Sequence, residues 1–489
     1  MAQILRTKSV EQSIQDTEAP EHRLRRRLSA VDLTVFGIGV IVGTGIFVLT
    51  GRVARETAGP AVALSFVVAA IVCGLAALCY AEFASTIPVA GSAYTFSFAT
   101  LGEFPAWIIG WDLMLEMALA GAVVAVGWSG YFTSLLSTAG IVLPDVGVNY
   151  PAMLIVAILT GILVAGIKLS SRVNLAIVVI KVTVILLVII AGLFFIRVAN
   201  YSPFIPPPRG TPAVEGMRAP LIQVLFDITP VAYGYIGIFS AAAIVFFAFI
   251  GFDIVATAAE ETIEPQRDLP RGIIGSLAIC TLLYVAVSLV VVGMQPYSQL
   301  SQDAPLADAF TAVGQPWIAG LISIGAIAGL TTVVMILMLG QTRVLFAMCR
   351  DGLLPRRLAK VHPRFGTPAT ITLIVGFATM ILSGFISLGE LAELVNIGTL
   401  FAFVVVSAGV VILRRTRPDL PRAFRAPLVP WLPLASVLAC LYLMLNLPVA
   451  TWWRFLLWMV VGVLIYFLYG FRHSTVRGFR ADSPKIQDS

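Results

Sequence analysis

Long apolar stretches, cut at intervals by clusters of proline, glycine and charge, run through the chain from residue 31 onward. A helix needs about 20 apolar residues to cross roughly 30 Å of hydrocarbon. On that measure the pattern predicts twelve membrane-spanning helices. They fall near 31–54, 60–84, 105–136, 150–169, 172–197, 233–259, 270–294, 316–348, 368–386, 390–413, 428–448 and 450–470. The polar start, 1–29, precedes an apolar stretch too long for a cleaved signal and followed by many more, so it reads as a cytosolic tail ahead of a retained span. Segment 201–230, with Pro206, Pro207 and Pro208, is the one sizeable external loop of this scheme and reads as either a cap or a plain connector.

Composition agrees with the pattern. The chain is 59% hydrophobic and 12% charged, against about 45–50% and 25% in soluble domains. Its mean hydropathy is +0.95. This is an all-α membrane protein before any motif is consulted. Lys and Arg set the orientation: with the N-terminus inside, 25 lie on cytosolic segments, six on the opposite side, and Lys181 inside a span. Both termini are therefore expected in the cytosol, with the chain crossing a plasma (inner) membrane many times. The net charge of +6 is then a topology signal and calls for no nucleic acid. Five scattered cysteines without a CxxC pair, and three histidines confined to tails and loops (His22, His362, His473), predict no metal, no cofactor and no membrane-embedded enzyme.

Candidate chemistry starts in the first span, Gly37-Ile38-Gly39-Val40-Ile41-Val42-Gly43-Thr44-Gly45-Ile46-Phe47. Glycine weakens a helix by roughly 1 kcal/mol relative to Ala. Freed backbone in hydrocarbon is tolerated only where it is buried in protein or lines a wet cavity. One reading is close helix packing through Gly39 and Gly43. The other is a helix broken at Gly43-Thr44-Gly45, with N–H groups aimed at an anionic group and unwound carbonyls facing a cation; an α-amino acid carries both charges. A P-loop and a dinucleotide fingerprint both fail, because no Gly-Lys-Ser/Thr follows and no strand precedes.

The sixth span repeats the interruption at Ile244-Val245-Phe246-Phe247-Ala248-Phe249-Ile250-Gly251-Phe252-Asp253, ahead of Glu260 and Glu261. Interrupted spans five apart are the mark of an inverted five-plus-five repeat. Phe246, Phe247, Phe249 and Phe252 read as lipid-facing or core packing, with one or two able to close over a substrate. Asp253 reads as the cap of a restarted half-helix.

Lys181 lies about nine residues, or roughly 14 Å, into the fifth span. A lysine at that depth costs at least about 2.5–3.5 kcal/mol and marks a functional site by default. It reads as a group that takes up and releases a proton, or as a fixed charge held by carbonyls or by an acid such as Glu116. Asp112 and Glu116, four apart on the third span, share a face. Asp112 is placed near the cytosolic interface, and Glu116 needs an internal partner. Glu82 ends the second span and is expected to pair with a basic loop residue.

Three stretches resemble the amino acid–polyamine–organocation (APC) transporters. They are Gly39 to Phe47; Phe249-Ile250-Gly251-Phe252-Asp253 through Glu260 to Pro270; and Gly340-Gln341-Thr342-Arg343 through Arg350-Asp351-Gly352-Leu353-Leu354-Pro355 to His362-Pro363 and Thr367-Pro368. In order, they look most like bacterial relatives of cationic amino acid transporters. The resemblance implies the leucine-transporter fold: ten helices in two inverted halves (5+5), broken in spans 1 and 6, plus two more. The divisions would be 1–30 and 471–489 as cytosolic tails, 31–413 as transport core, 414–427 as linker and 428–470 as spans 11 and 12.

The same resemblance implies a substrate site. Gly43, Thr44 and Gly45 would hold the substrate carboxylate. The Ile41 carbonyl, with backbone near Phe247, Ile250 and Gly251, would take the ammonium. Lys181 would stand where related carriers hold sodium, coupling transport to protons through carbonyls near Gly39 and through the eighth span near Thr331. Glu116 and Asp253 are candidate internal partners, and Leu330 would present an apolar wall. The implied activity is uptake of neutral or a broad range of amino acids by proton symport and alternating access. Obligate exchange, cationic substrates and a non-transporting sensor are the alternatives. The implied partners are the amino acid, protons, the lipid bilayer and a possible small membrane subunit. The fourteen-span appearance of vertebrate cationic transporters is not matched by this twelve-span pattern.

Overall fold

The computed structural model describes residues 28–87, 92–166, 171–210 and 215–474. Lys168 and the tails 1–27 and 475–489, on which part of the charge count rests, lie outside the described residues, as do the side chains of Arg172 and Glu260. Among the described residues the chain is helical throughout, with isolated bridges in place of strands.

Twelve α-helices of twelve or more residues are present among the described residues. They are α1 (Ala30–Ile41), α2 (Val62–Thr86), α3 (Glu103–Thr138), α4 (Tyr150–Val164), α5 (Ser171–Gly192), α6 (Gly234–Val245), α7 (Pro265–Met294), α8 (Pro316–Arg350), α9 (Ala369–Phe385), α10 (Leu388–Thr416), α11 (Trp431–Leu445) and α12 (Val449–Ile465). Eight helical runs among the described residues are long and apolar enough to cross a membrane, and α1, α4, α9 and α11 are shorter apolar helices. The protein is a multi-pass helical membrane protein.

Polar side chains start several of these helices. Ser29 and Asp32 form a reciprocal capping box at α1, Asn149 caps α4, and Ser387 caps α10. Each such cap satisfies an amide the helix cannot pair itself and contributes about 1 kcal/mol.

Two short helices, Ser92–Thr100 and Pro305–Ala312, fall where the hydrophobic pattern gave only connectors. Segment 201–230 is also not the single sizeable loop. The stretch 295–315 between α7 and α8 is a second one, and its Ser301, Asp303 and Pro305 hide a helix too polar and short to register as apolar.

Long α3 is packed along α8 and α10, while α7 runs along α2 and α1. The four span-six phenylalanines are buried in this core rather than facing lipid. Phe252 packs on Tyr80 and Phe403, and Phe246 on Phe403. At the end of α2, buried Glu82 receives two hydrogen bonds from Arg414 (2.8 and 2.7 Å) and one from the Ala426 amide (2.7 Å), with Arg422 3.6 Å away. The expected pairing of Glu82 with a basic residue is met by the end of α10 and the linker beyond it.

Candidate functional site

The glycine-rich first span is broken. Helix α1 stops at Ile41, Val42 is extended (φ −71°, ψ 95°), and helical backbone resumes at Thr44 with a wide π-helical turn over Gly45–Leu49. The last carbonyls of α1 cannot find amides further along the helix, and side chains from elsewhere take them. Lys181 on α5 donates to Gly39 O (2.7 Å) and Val42 O (3.3 Å). The Tyr284 hydroxyl on α7 donates to Ile41 O (2.8 Å).

Lys181 is 0% exposed. Two glycines give it room: a Cβ on Gly39 would lie 2.7 Å from Val178 of α5, and one on Gly329 of α8 would lie 2.8 Å from Lys181 Cγ. Among the described residues no carboxylate pairs with its ammonium, so pairing with Glu116 is not what the structure contains. Nor does Thr331 serve it. The Thr331 hydroxyl accepts from Trp128 Nε1 (2.9 Å) and donates to Ile327 O (2.8 Å), and the α8 residue against Lys181 is Gly329. Residue 329 lies about half a turn from 331, which places Thr331 toward α3 instead.

The sixth span breaks too. Helix α6 ends at Val245, a 3₁₀ turn covers Phe246–Phe249, Ile250 is extended, and Gly251 sits at φ +121° before helix resumes at Phe252–Val255. Only glycine adopts that φ without strain. Asp253 accepts from the Gly251 amide (3.2 Å), so it caps the restarted half-helix as the sequence suggests. Asn396 of α10 donates from one amide nitrogen to both Ala243 O and Ile244 O (2.9 Å each), holding the end of α6.

The two breaks abut. A Cβ on Gly45 would collide with the Ala248 backbone, and one on Gly251 would lie 2.7 Å from Val40 Cγ1 and 3.4 Å from the Ile41 amide. Ile41, Thr44, Phe247 and Ile250 at this junction are buried, as is Leu330 of α8, and Val333 of α8 faces Gly43. The Thr44 hydroxyl is buried and has no hydrogen-bond partner among the described residues, next to Gly127 of α3. An N-terminal half-helix presents free amides and a positive dipole end. Unwound carbonyls a few residues before it present the opposite sign.

Glu116 is buried, with one oxygen unpartnered among the described residues. Asp112 is fully buried against Gly398 of α10. A separate open cavity of about 660 Å³ lies toward the other end of α3, lined by Ser129, Thr133, Asp145, Asn149, Asp303 and Asp308 among others.

Tyr284 and Asn396 are the site residues that sequence reading missed. Asn396 had a signal, an amide amid Leu394, Val395 and Ile397, costly in hydrocarbon unless bonded. Tyr284 had none, because its ring is at home in an apolar helix.

Fold and site together define a helical membrane protein organised around two interrupted spans whose breaks meet at a buried junction, their stranded carbonyls held by side chains from other helices. The sequence profile described as "Amino acid permease" matches residues 28–466. The branched-chain amino acid permease BcaP of Bacillus subtilis (strain 168) is 49% identical over 485 residues, covering 96% of this chain and 98% of that protein. The methylthioribose transporter of the same organism is 45% identical, covering 97% and 99%. Cationic amino acid transporter 1 of Arabidopsis thaliana is 34% identical, covering 93% and 84%. The chain belongs to the amino acid permease family, and it is a transporter.

Proposed function

We propose that this chain imports neutral amino acids, branched aliphatic ones included, by proton symport and alternating access across the plasma membrane, with both termini cytosolic. The observation that carries this reading is Lys181: a wholly buried ammonium, without a carboxylate partner among the described residues, holding the carbonyls of Gly39 and Val42 at the break. A proton gained or lost there changes how firmly α1 ends, and that links protonation to the shape of the site.

In this reading the amides heading the restarted helix, Gly43 to Gly45, and the Thr44 hydroxyl receive the substrate carboxylate. The Ile41 carbonyl and the span-six break take its ammonium. Apolar Phe247, Ile250, Leu330 and Val333 suit an aliphatic side chain. The twelve helices form a leucine-transporter fold, with 31–413 as core, 414–427 as cytosolic linker, 428–470 as two further spans, and 1–30 and 471–489 as tails.

The test is uptake into proteoliposomes holding the purified chain, with and without an inward proton gradient. Leucine accumulation above the external concentration, driven by the gradient and lost in Lys181→Ala, supports the reading. Accumulation that ignores the gradient in wild type sinks the coupling. The methylthioribose transporter relative favours a second reading, a thiosugar substrate, which bears neither ammonium nor carboxylate. Competition of methylthioribose against leucine uptake separates the two.

A further inference from the structure

The mechanism above leaves one buried group at the junction unused. Tyr284 stands on α7, wholly buried, and its hydroxyl donates to Ile41 O at 2.8 Å. Its ring lies 5.3 Å from that of Phe249, in the span-six break, and 5.8 Å from Phe66 on α2. It therefore touches the backbone of one break and the side chain of the other.

A carbonyl oxygen accepts two hydrogen bonds. Tyr284 occupies one position on Ile41 O and leaves the second. The Ile41–Val42 peptide closes α1: its N–H, on Val42, bonds back to Ile38 O, while its oxygen finds no amide further along the helix and, among the described residues, no hydrogen-bond donor but Tyr284. We infer that Tyr284 is a positioning residue that aims the Ile41 carbonyl at the substrate's α-ammonium and so makes the transporter select amino acids over the matching carboxylic acids. This rests on the reading of Ile41 as the ammonium contact. The hydroxyl never touches the substrate; it sets the direction of the oxygen that does.

A tyrosine serving only to hold the fold would, on losing its hydroxyl, weaken every ligand alike. A positioning tyrosine weakens only ligands with an ammonium. The experiment measures leucine uptake in proteoliposomes of the full chain, and its inhibition by 4-methylpentanoate, which is leucine without its ammonium. For Tyr284→Phe the expected result is a leucine KM raised by about five- to tenfold, as for loss of one hydrogen bond to a polar partner. The inhibition constant of 4-methylpentanoate and the gradient dependence stay as in wild type.

Equal weakening of both ligands, or no change in either, overturns the inference. Phe66→Leu removes a ring packed on Tyr284 from α2 and keeps the hydroxyl; it should lower the melting temperature while leaving the preference for leucine over 4-methylpentanoate intact. Loss of that preference in Phe66→Leu but not in Tyr284→Phe overturns it as well. Wild-type protein that took up no amino acid would sink the functional reading, and this inference with it.

Discussion

At the end of α1 the stranded carbonyls are taken by side chains arriving from α5 and α7, one of them an ammonium; at the end of α6 they are taken by a neutral amide from α10. The restart differs in the same sense. After the first break the helix resumes with a threonine hydroxyl and leading amides for which the described residues supply no side-chain partner. After the second it resumes from a positive-φ glycine whose amide is already bonded to Asp253. The second break is a bend completed by its own neighbours. The first is held by side chains from two other helices, among them the ammonium of Lys181. In the proposed function the second break is the surface that stays in place and the first the one that responds.

The contrast can be broken by substitution. The largest effect is expected for Lys181→Ala. Gradient-driven accumulation should fall to the external concentration, while counterflow of labelled against unlabelled leucine continues; persistence of pH-driven accumulation would place the responsive group elsewhere. Gly251→Ala comes next. It combines a forbidden φ with a Cβ pressed on Val40, and should cost on the order of 2–4 kcal/mol, read as a lowered melting temperature in detergent. An unchanged melting temperature would mean the second break is not the rigid one. Asn396→Leu takes the side-chain amide away from the Ala243 and Ile244 carbonyls, of which Ile244 O keeps the Phe246 amide, at a cost of about 1–3 kcal/mol. It should destabilise the protein without altering the pH dependence of uptake, and a shifted pH profile would blur the distinction between the breaks. Smallest is Asp253→Ala, the loss of one cap, worth about 1 kcal/mol and visible only in careful thermal scans.

Much of this contrast was legible from the chain alone, and the part that was not has a physical reason. Glycine spacing announced both breaks because glycine is costly in a helix unless something is gained, and Lys181 announced itself by depth. The fold class followed from apolar stretches that no soluble protein could hide. The partners were another matter. Tyr284 meets Ile41 across 243 residues of sequence and Asn396 meets Ala243 across 153, and nothing local records such meetings. The expectation that Thr331 serves Lys181 failed for the same reason. Two positions along a helix turn a side chain to another neighbour, and Trp128, on α3, was the neighbour it met. The helix Pro305–Ala312 was missed because polar punctuation outweighs eight residues of pattern.

The clasp at Glu82 has a consequence for how the protein is made. Its partner Arg414 follows 332 residues later in the chain. At roughly 5–20 residues per second, a ribosome takes on the order of tens of seconds to cover that distance. Throughout this interval α2 carries an acid at its end that later becomes buried, with nothing yet made to neutralise it. The end of α2 must therefore wait at the water-facing boundary and be drawn into the packed interior late, when α10 and its linker arrive. A ribosome-bound chain stopped before Arg414 should expose the end of α2 to water-soluble thiol reagents through a cysteine in place of Ser85, one turn from an intact Glu82. The same cysteine in the finished protein, where this position is buried beside Phe424, should be sealed.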